Sequence, residues 1–150
     1  MFLDWMLASL HHLAILTLAA ILAFELALTK ENVDARAVSR LARVDAWYGI
    51  MAAVVLAAGI ARVFLGAKGP EYYAANSLFW IKMGLFAIVG AISALPTLRY
   101  IVWSRAARAD ASFLPAPSEL IGVRRALWLE AALFVFIPLC AAGMARGYGL

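Results

Sequence analysis

The chain has 150 residues, of which 66% are hydrophobic and 15% charged, and its mean hydropathy is +0.89. Ordinary globular domains contain about 45–50% apolar residues, so this composition excludes a soluble fold and predicts an integral membrane protein. The net charge of +4 is explained by basic loops that contact anionic headgroups, and it does not indicate a nucleic-acid binder.

Four apolar segments are long enough to cross a bilayer, because a helix needs about 20 apolar residues to span the ~30 Å hydrocarbon core. They lie at residues 3–29, 44–66, 77–103 and 120–144. The sequence therefore predicts an all-α fold, an integral membrane four-helix bundle that forms a single domain over residues 1–150.

The first segment carries the two histidines of the chain, His11 and His12. Ionisable side chains inside a membrane are costly, so each is a candidate site. Adjacent residues point about 100° apart on a helix, so the pair cannot ligate one ion together. We favour His12 as the metal ligand and keep His11 as the alternative; hydrogen bonding at the membrane interface would explain the pair without any ligand. His12 shares its face with small residues that suit a flat macrocycle or a second copy of the chain, a homodimer: Ala8, Ala19, Ala23 and Ala27.

The loops set the predicted orientation, because lysine and arginine near the membrane ends favour the cytoplasm. Most of the basic residues flank the first and third loops: Lys30, Arg36, Arg40, Arg43, Arg99, Arg105, Arg108, Arg124 and Arg125. Both termini are therefore predicted on the outer side. Residues 31–43 are predicted as a short interfacial helix, with Val33, Ala37 and Leu41 at near-helical spacing.

Further cations are predicted at the outer level of the histidines. Arg62 lies near the end of the second segment, Lys82 near the start of the third and Arg146 at the end of the fourth. Such a cationic pocket suits an anion, and haem b fits it because iron takes a neutral imidazole and the propionates pair with arginine or lysine. The alternative for Lys82 is that it extends to the headgroups. The candidate cofactor-binding residues are His12, His11, Lys82, Arg62 and Arg146.

A second polar set lies toward the predicted cytoplasmic end: Glu25, Asp45, Tyr48, Arg99 and Glu130. Carboxylates within a membrane are tolerated when they have partners. We therefore expect ion pairs within this set, with a proton path as the alternative.

Three other residue types have simpler interpretations. All five tryptophans fall near helix ends and predict interfacial belts: Trp5, Trp47, Trp80, Trp103 and Trp128. Pro96 and Pro138 are expected to kink their helices. Cys140 is interpreted as a packing residue.

Several stretches resemble a bacterial family of four-helix membrane proteins, domain of unknown function 2214. They are LHHLAILTLAAILAFEL (Leu10 to Leu26), RVDAWYG (Arg43 to Gly49), AGIARVFLGAKGPEYY (Ala58 to Tyr73), FWIKMGLFAIVGAISALPT (Phe79 to Thr97) and IPLCAAGMARGYG (Ile137 to Gly149). The resemblance covers almost the whole chain. It implies a multi-pass protein of the bacterial inner membrane.

More distantly, the layout resembles the CopD and HemJ group, in which HemJ is a haem-associated protoporphyrinogen oxidase. The resemblance implies that His11 or His12 matches a functional histidine and Lys82 a functional lysine. Two functions are therefore expected. One is a b-type haem protein, as a redox protein or an oxidoreductase that exchanges electrons with quinone, porphyrin or another electron-transfer partner. The other is a protein that handles copper or small ions, or a structural subunit of a membrane complex.

Overall fold

The structure is a computed structural model that describes residues 2–30 and 33–150. Within these ranges the chain is all-α, and four helical stretches are long and apolar enough to cross a membrane, the last of them formed by α5 and α6 together. The predicted all-α fold with four membrane-spanning segments is therefore confirmed. The helices are α1 Phe2–Leu28, α2 Ala35–Leu65, α3 Gly69–Ala75, α4 Ser77–Ala109, α5 Pro117–Phe134 and α6 Phe136–Ala145.

The long helices pack around a common apolar core. Helix α1 lies mainly against α2, and α4 contacts α2, α5 and α6. Most of the core residues are aliphatic, among them Leu18, Leu22, Val55, Val89 and Leu127. Large apolar side chains also cover the outside of the bundle, such as Leu16, Phe64 and Leu98. In a bilayer these exposed side chains face lipid, so the surface is compatible with a membrane-spanning bundle.

The predicted interfacial helix at residues 31–43 is wrong as a separate element. Helix α2 begins at Ala35, and the Asp34 carboxylate caps it by accepting a hydrogen bond from the Ala37 amide at 2.7 Å. Ala37 and Leu41 are buried in the core rather than turned toward headgroups, so the segment continues α2 and extends the bundle. Glu31 and Asn32 lie outside the described residues.

The two prolines have different effects. The helical rod that contains Pro138 is interrupted at Val135, where α5 ends and α6 begins. A proline ring clashes with the carbonyl four residues earlier, here that of Phe134, which accounts for the break. Pro96 is buried within α4, which continues from Ser77 to Ala109. The helix is therefore interrupted near Pro138, whereas α4 is continuous through Pro96.

The tryptophans do not all behave as interfacial residues. Trp5, Trp47, Trp80 and Trp128 are exposed, but Trp103 is buried at 1% exposure. Its indole Nε1 donates to Glu119 Oε2 at 3.0 Å, and the same carboxylate accepts from Arg99 Nη1 at 2.6 Å. The belt prediction is therefore wrong for Trp103, which is a core residue whose polar atom is satisfied by α5.

Candidate functional site

Loop contacts close the end of the bundle that carries both ends of the chain, here called the terminal end. The Ala67 amide donates to Asp4 Oδ1 at 3.1 Å, and the Ser77 amide donates to the Gly149 carbonyl at 2.7 Å. Helix α3, which lies between the second and third predicted spans, joins this layer because the Tyr72 hydroxyl donates to the Met144 carbonyl at 2.6 Å. These contacts bring the start of α1, the end of α2, the start of α4 and the end of α6 to one level.

His11 lies at the terminal end, half-buried between α1 and α2. Its Nδ1 is 3.1 Å from the Val55 carbonyl oxygen. Because a carbonyl can only accept, Nδ1 carries a proton, and in the neutral imidazole Nε2 then keeps its lone pair. Histidines that bind metals usually donate their other ring N–H to a carbonyl or carboxylate in this way. In its neutral form, His11 is therefore held in the orientation and tautomer that suit ligation through Nε2.

Gly59 of α2 leaves the space in which the His11 ring sits. A Cβ atom built on Gly59 would lie 3.2 Å from His11 Cε1, which is closer than an ordinary contact. The glycine therefore sets how closely the imidazole approaches α2.

We expect Gly59→Ala to displace the His11 ring and to change the NMR chemical shifts of its Cε1 and Nδ1. Gly84→Ala is the matched control, because nothing lies within 4 Å of a Cβ built there. It should leave those shifts unchanged and raise the free energy of unfolding by about 0.5–1 kcal/mol, the usual helix gain over glycine. Gly59→Ala should gain less than this. Unchanged His11 shifts in Gly59→Ala would contradict the contact.

Two cations lie beside His11. Arg62 and Lys82 are the cationic side chains whose charges act on its ring, and the Lys82 Nζ lies 5.4 Å from the centre of the Phe79 ring. Arg62 Nε is buried and has no hydrogen-bond partner within residues 2–30 and 33–150. Because buried polar atoms are almost always hydrogen-bonded, this atom is suited to an anionic acceptor. We name His11, Arg62 and Lys82 the His11 cluster.

The other two predicted site residues are directed away from this cluster. His12 is exposed, its Nδ1 donates to the Ala8 carbonyl at 2.7 Å, and its ring centre is 6.3 Å from that of His11. Arg146 is exposed at the end of α6. The fold thus brings together His11, Arg62 and Lys82, and leaves His12 and Arg146 on the surface.

Cys140 is a residue that the sequence did not connect with the site. It is half-buried on α6, and it lies near Lys82. The two positions are far apart in the sequence, so only the packing of α4 on α6 reveals that they are neighbours.

Four residues of the second polar set form a cluster with Tyr100, which was not predicted as part of it, in the half of the bundle away from the terminal end. Glu25 and Glu130 are each 1% exposed, and Asp45, Tyr48 and Tyr100 are also buried. The five residues come from α1, α2, α4 and α5, and their side chains lie close to one another. We name them the carboxyl cluster.

The ion pairs expected within this set are not formed. Arg99 pairs with Glu119 instead, at 2.6 Å, in the one salt bridge that the described residues contain. Glu25 Oε1, Glu130 Oε1 and the Tyr100 hydroxyl have no hydrogen-bond partner there. The idealised cost of moving one bare carboxylate into a dry interior is of order 20 kcal/mol, whereas a whole domain is stable by about 5–15 kcal/mol. The cluster therefore cannot hold three bare negative charges without a positive ligand.

A cavity of about 230 Å³ lies beside the carboxyl cluster, mainly between α2 and α4. Its polar lining includes Asp45, Tyr48, Ser93 and Thr97. The Thr97 hydroxyl donates to Asp45 Oδ1 at 2.8 Å, which fixes the carboxyl group at the wall of the cavity. The rest of the lining is apolar, and the space is several times the ~30 Å³ that one water takes up in the liquid.

Neither cluster is arranged as a chelate for a free metal ion. Across the described ranges there is no group of three or more His, Cys, Asp or Glu side chains that could hold one. A haem makes a smaller demand, because the porphyrin supplies four nitrogens and the protein supplies the axial ligand.

The family described as "Predicted membrane protein (DUF2214)" matches residues 3–149. No curated protein and no solved structure matches the chain.

Proposed function

Since the chain belongs to the DUF2214 family of predicted membrane proteins, its buried ionisable residues are candidate sites, and we propose that it binds haem b at His11. The observation that carries the proposal is the His11 ring itself. Its Nδ1 proton is committed to the Val55 carbonyl, so Nε2 is free to ligate iron from a half-buried position inside the bundle. We further propose that the membrane is the bacterial inner membrane.

Arg62 and Lys82 would hold the propionate groups. Both cations lie beside His11, and the buried Nε of Arg62 has no acceptor among the described side chains and backbone. A guanidinium binds a carboxylate through two parallel hydrogen bonds, so Arg62 suits a propionate better than it suits a metal cation. A bound haem supplies one-electron redox chemistry, with a quinone, a porphyrin or an electron-transfer protein as the partner.

His12 supports a different arrangement of the same function. It faces outward on α1, where Ala23 and Ala27 are also exposed, so a ligand there would need a second copy of the chain to cover it. His11 is the better candidate because it is the histidine with cations around it. The two arrangements make opposite predictions for the two histidine variants.

The test is the haem content of protein purified in mild detergent from cells supplied with a haem precursor. A pyridine haemochrome assay and a reduced-minus-oxidised spectrum should give stoichiometric b-type haem in the wild type and in His12→Ala. In His11→Ala the haem content should fall about tenfold or more, since even outer-shell changes cost 10–100-fold in metal affinity. Added imidazole should restore the spectrum of His11→Ala, which separates ligand loss from misfolding.

Two results would overturn the assignment. A wild type that lacks a Soret band, although the cells were supplied with a haem precursor, would show that the protein does not bind haem. Loss of haem in His12→Ala but not in His11→Ala would move the ligand to the outer surface and favour a homodimer with a shared site.

A further inference from the structure

The carboxyl cluster is independent of the proposed haem site and has its own chemistry. Glu25 comes from α1, Asp45 and Tyr48 from α2, Tyr100 from α4 and Glu130 from α5. Four helices thus contribute ionisable side chains to one buried place. Core packing alone would be served better by apolar residues, because each buried carboxyl group carries a desolvation cost.

Among residues 2–30 and 33–150, the cluster has no cationic side chain paired with it. Arg99 is paired with Glu119, and the Arg124 guanidinium donates to the Thr29 carbonyl. The acids are also not arranged as a metal chelate within the part of the chain that the structure describes. The positive ligand that fits two deeply buried, separate carboxyl groups is therefore the smallest one, a proton.

The Tyr100 hydroxyl is an independent sign of a ligand at this place. Tyr100 is 1% exposed, its hydroxyl lies beside the Glu25 carboxyl group, and it makes no hydrogen bond of good geometry within the described ranges. Glu25 Oε1 and Glu130 Oε1 are free in the same sense. The Tyr100 hydroxyl lies beside the Glu25 carboxyl group and the Tyr48 hydroxyl beside that of Glu130, so a proton can be shared within each pair.

The cavity supplies a route to the cluster. Asp45 lies in both, since it belongs to the carboxyl cluster and lines the cavity with Tyr48, Ser93 and Thr97. Hydroxyl groups on the wall provide the polar partners that water needs in order to occupy such a space. Asp45 is therefore placed to pass protons between water in the cavity and the deeper glutamates.

We propose that the carboxyl cluster is a proton-exchange site, reached from the cavity between α2 and α4 through Asp45. In uptake, an O–H bond of a hydronium ion in the cavity breaks and an O–H bond forms on a carboxylate oxygen, leaving water. Release is the reverse of this step. Transfer between Asp45, Glu25 and Glu130 exchanges one O–H bond for another, so it needs no oxidant, reductant or other reactant.

The test is infrared spectroscopy of the full chain reconstituted in lipid vesicles. At neutral pH the wild type should show the C=O stretching band of protonated carboxyl groups, and this band should shift when the buffer is changed to D₂O. Glu25→Gln and Glu130→Gln should each remove a component of the band. Glu71→Gln is the control, because Glu71 is exposed on α3 and should leave the band unchanged. A wild type without the band, or glutamine variants that retain all of it, would overturn the proposal.

The route is tested separately with two glycines of α4. Gly90 lines the cavity and Gly84 is not among its lining residues, while neither has an atom within 4 Å of an added Cβ. Gly90→Leu should slow the deuterium shift of the band several-fold relative to Gly84→Leu. Equal rates in the two variants would overturn the cavity route.

If Glu25→Gln or Glu130→Gln does not accumulate, Asp45→Asn replaces it in the infrared experiment, since it should also remove a component of the band.

Discussion

Replacing Trp103 by alanine is expected to lower the free energy of unfolding by about 3–5 kcal/mol, the usual cost of truncating a buried aromatic residue. The side chain is 1% exposed and its ring centre lies 5.7 Å from that of Tyr100. Truncation would leave a cavity next to Tyr100. It would also remove the donor that holds Glu119 Oε2 at 3.0 Å, so α4 and α5 would lose a polar contact as well.

Equilibrium unfolding in mixed detergent micelles measures this change. Trp128→Ala is the matched control, because Trp128 is 58% exposed and its ring lies 5.9 Å from the Lys30 Nζ. An exposed cation–π contact is worth about 0.5–1 kcal/mol, so this variant should lose no more than that. Similar losses in the two variants would contradict the burial of Trp103.

Replacing Arg124 by alanine is expected to cost about 1.5–3 kcal/mol, the range for a hydrogen bond to a charged group. Arg124 Nε donates to the Thr29 carbonyl at 2.6 Å, and Nη2 donates to the same oxygen. Thr29 is fully buried just after α1, where the last carbonyls of a helix lack partners within it. The arginine of α5 therefore closes the end of α1.

The neighbouring Arg125 provides the control for charge. It is exposed, so Arg125→Ala removes the same charge without removing this contact and should change the free energy of unfolding by no more than about 0.5 kcal/mol. The same unfolding titration compares the two variants. Equal effects would show that net charge matters here, rather than the contact with Thr29.

The four spans could be predicted from the sequence because their signal is local. Each needs about 20 consecutive apolar residues, and that length can be counted without knowing what the segment packs against. Clustering of His11, Arg62 and Lys82 at one end was predictable for the same reason. When successive helices cross the membrane in opposite directions, residues at a similar distance from the same membrane surface can be identified by counting along each span.

The side of each helix that is turned toward the core could not be predicted in this way. In a soluble bundle the polar side marks the outside, but here both lipid and core are apolar, so neither face is marked. His11 and His12, like Arg124 and Arg125, are adjacent in sequence, and only the packed structure shows which member of each pair faces inward. Trp103 was misassigned for this reason, since an aromatic residue near a helix end suits the interface and the core alike.

Partner choice was also beyond the sequence. Arg99 was expected to pair with the buried acids, yet it pairs with Glu119. Glu119 lies in the first turn of α5, and the loop after α4 brings it next to Arg99. The charges in a segment therefore predict that a polar site exists, but not which charges meet.

The lengths of α2 and α4 have a consequence for the membrane itself. With 31 and 33 residues, they measure about 46 and 50 Å at 1.5 Å per residue, against a hydrocarbon core of ~30 Å. Upright helices would overhang that core by roughly 15–20 Å. Arg36 and Arg40 at the start of α2, and Arg105 and Arg108 at the end of α4, stand on these overhanging turns. Bilayer thickness and lipid headgroup charge should therefore determine the position of the protein along the membrane normal.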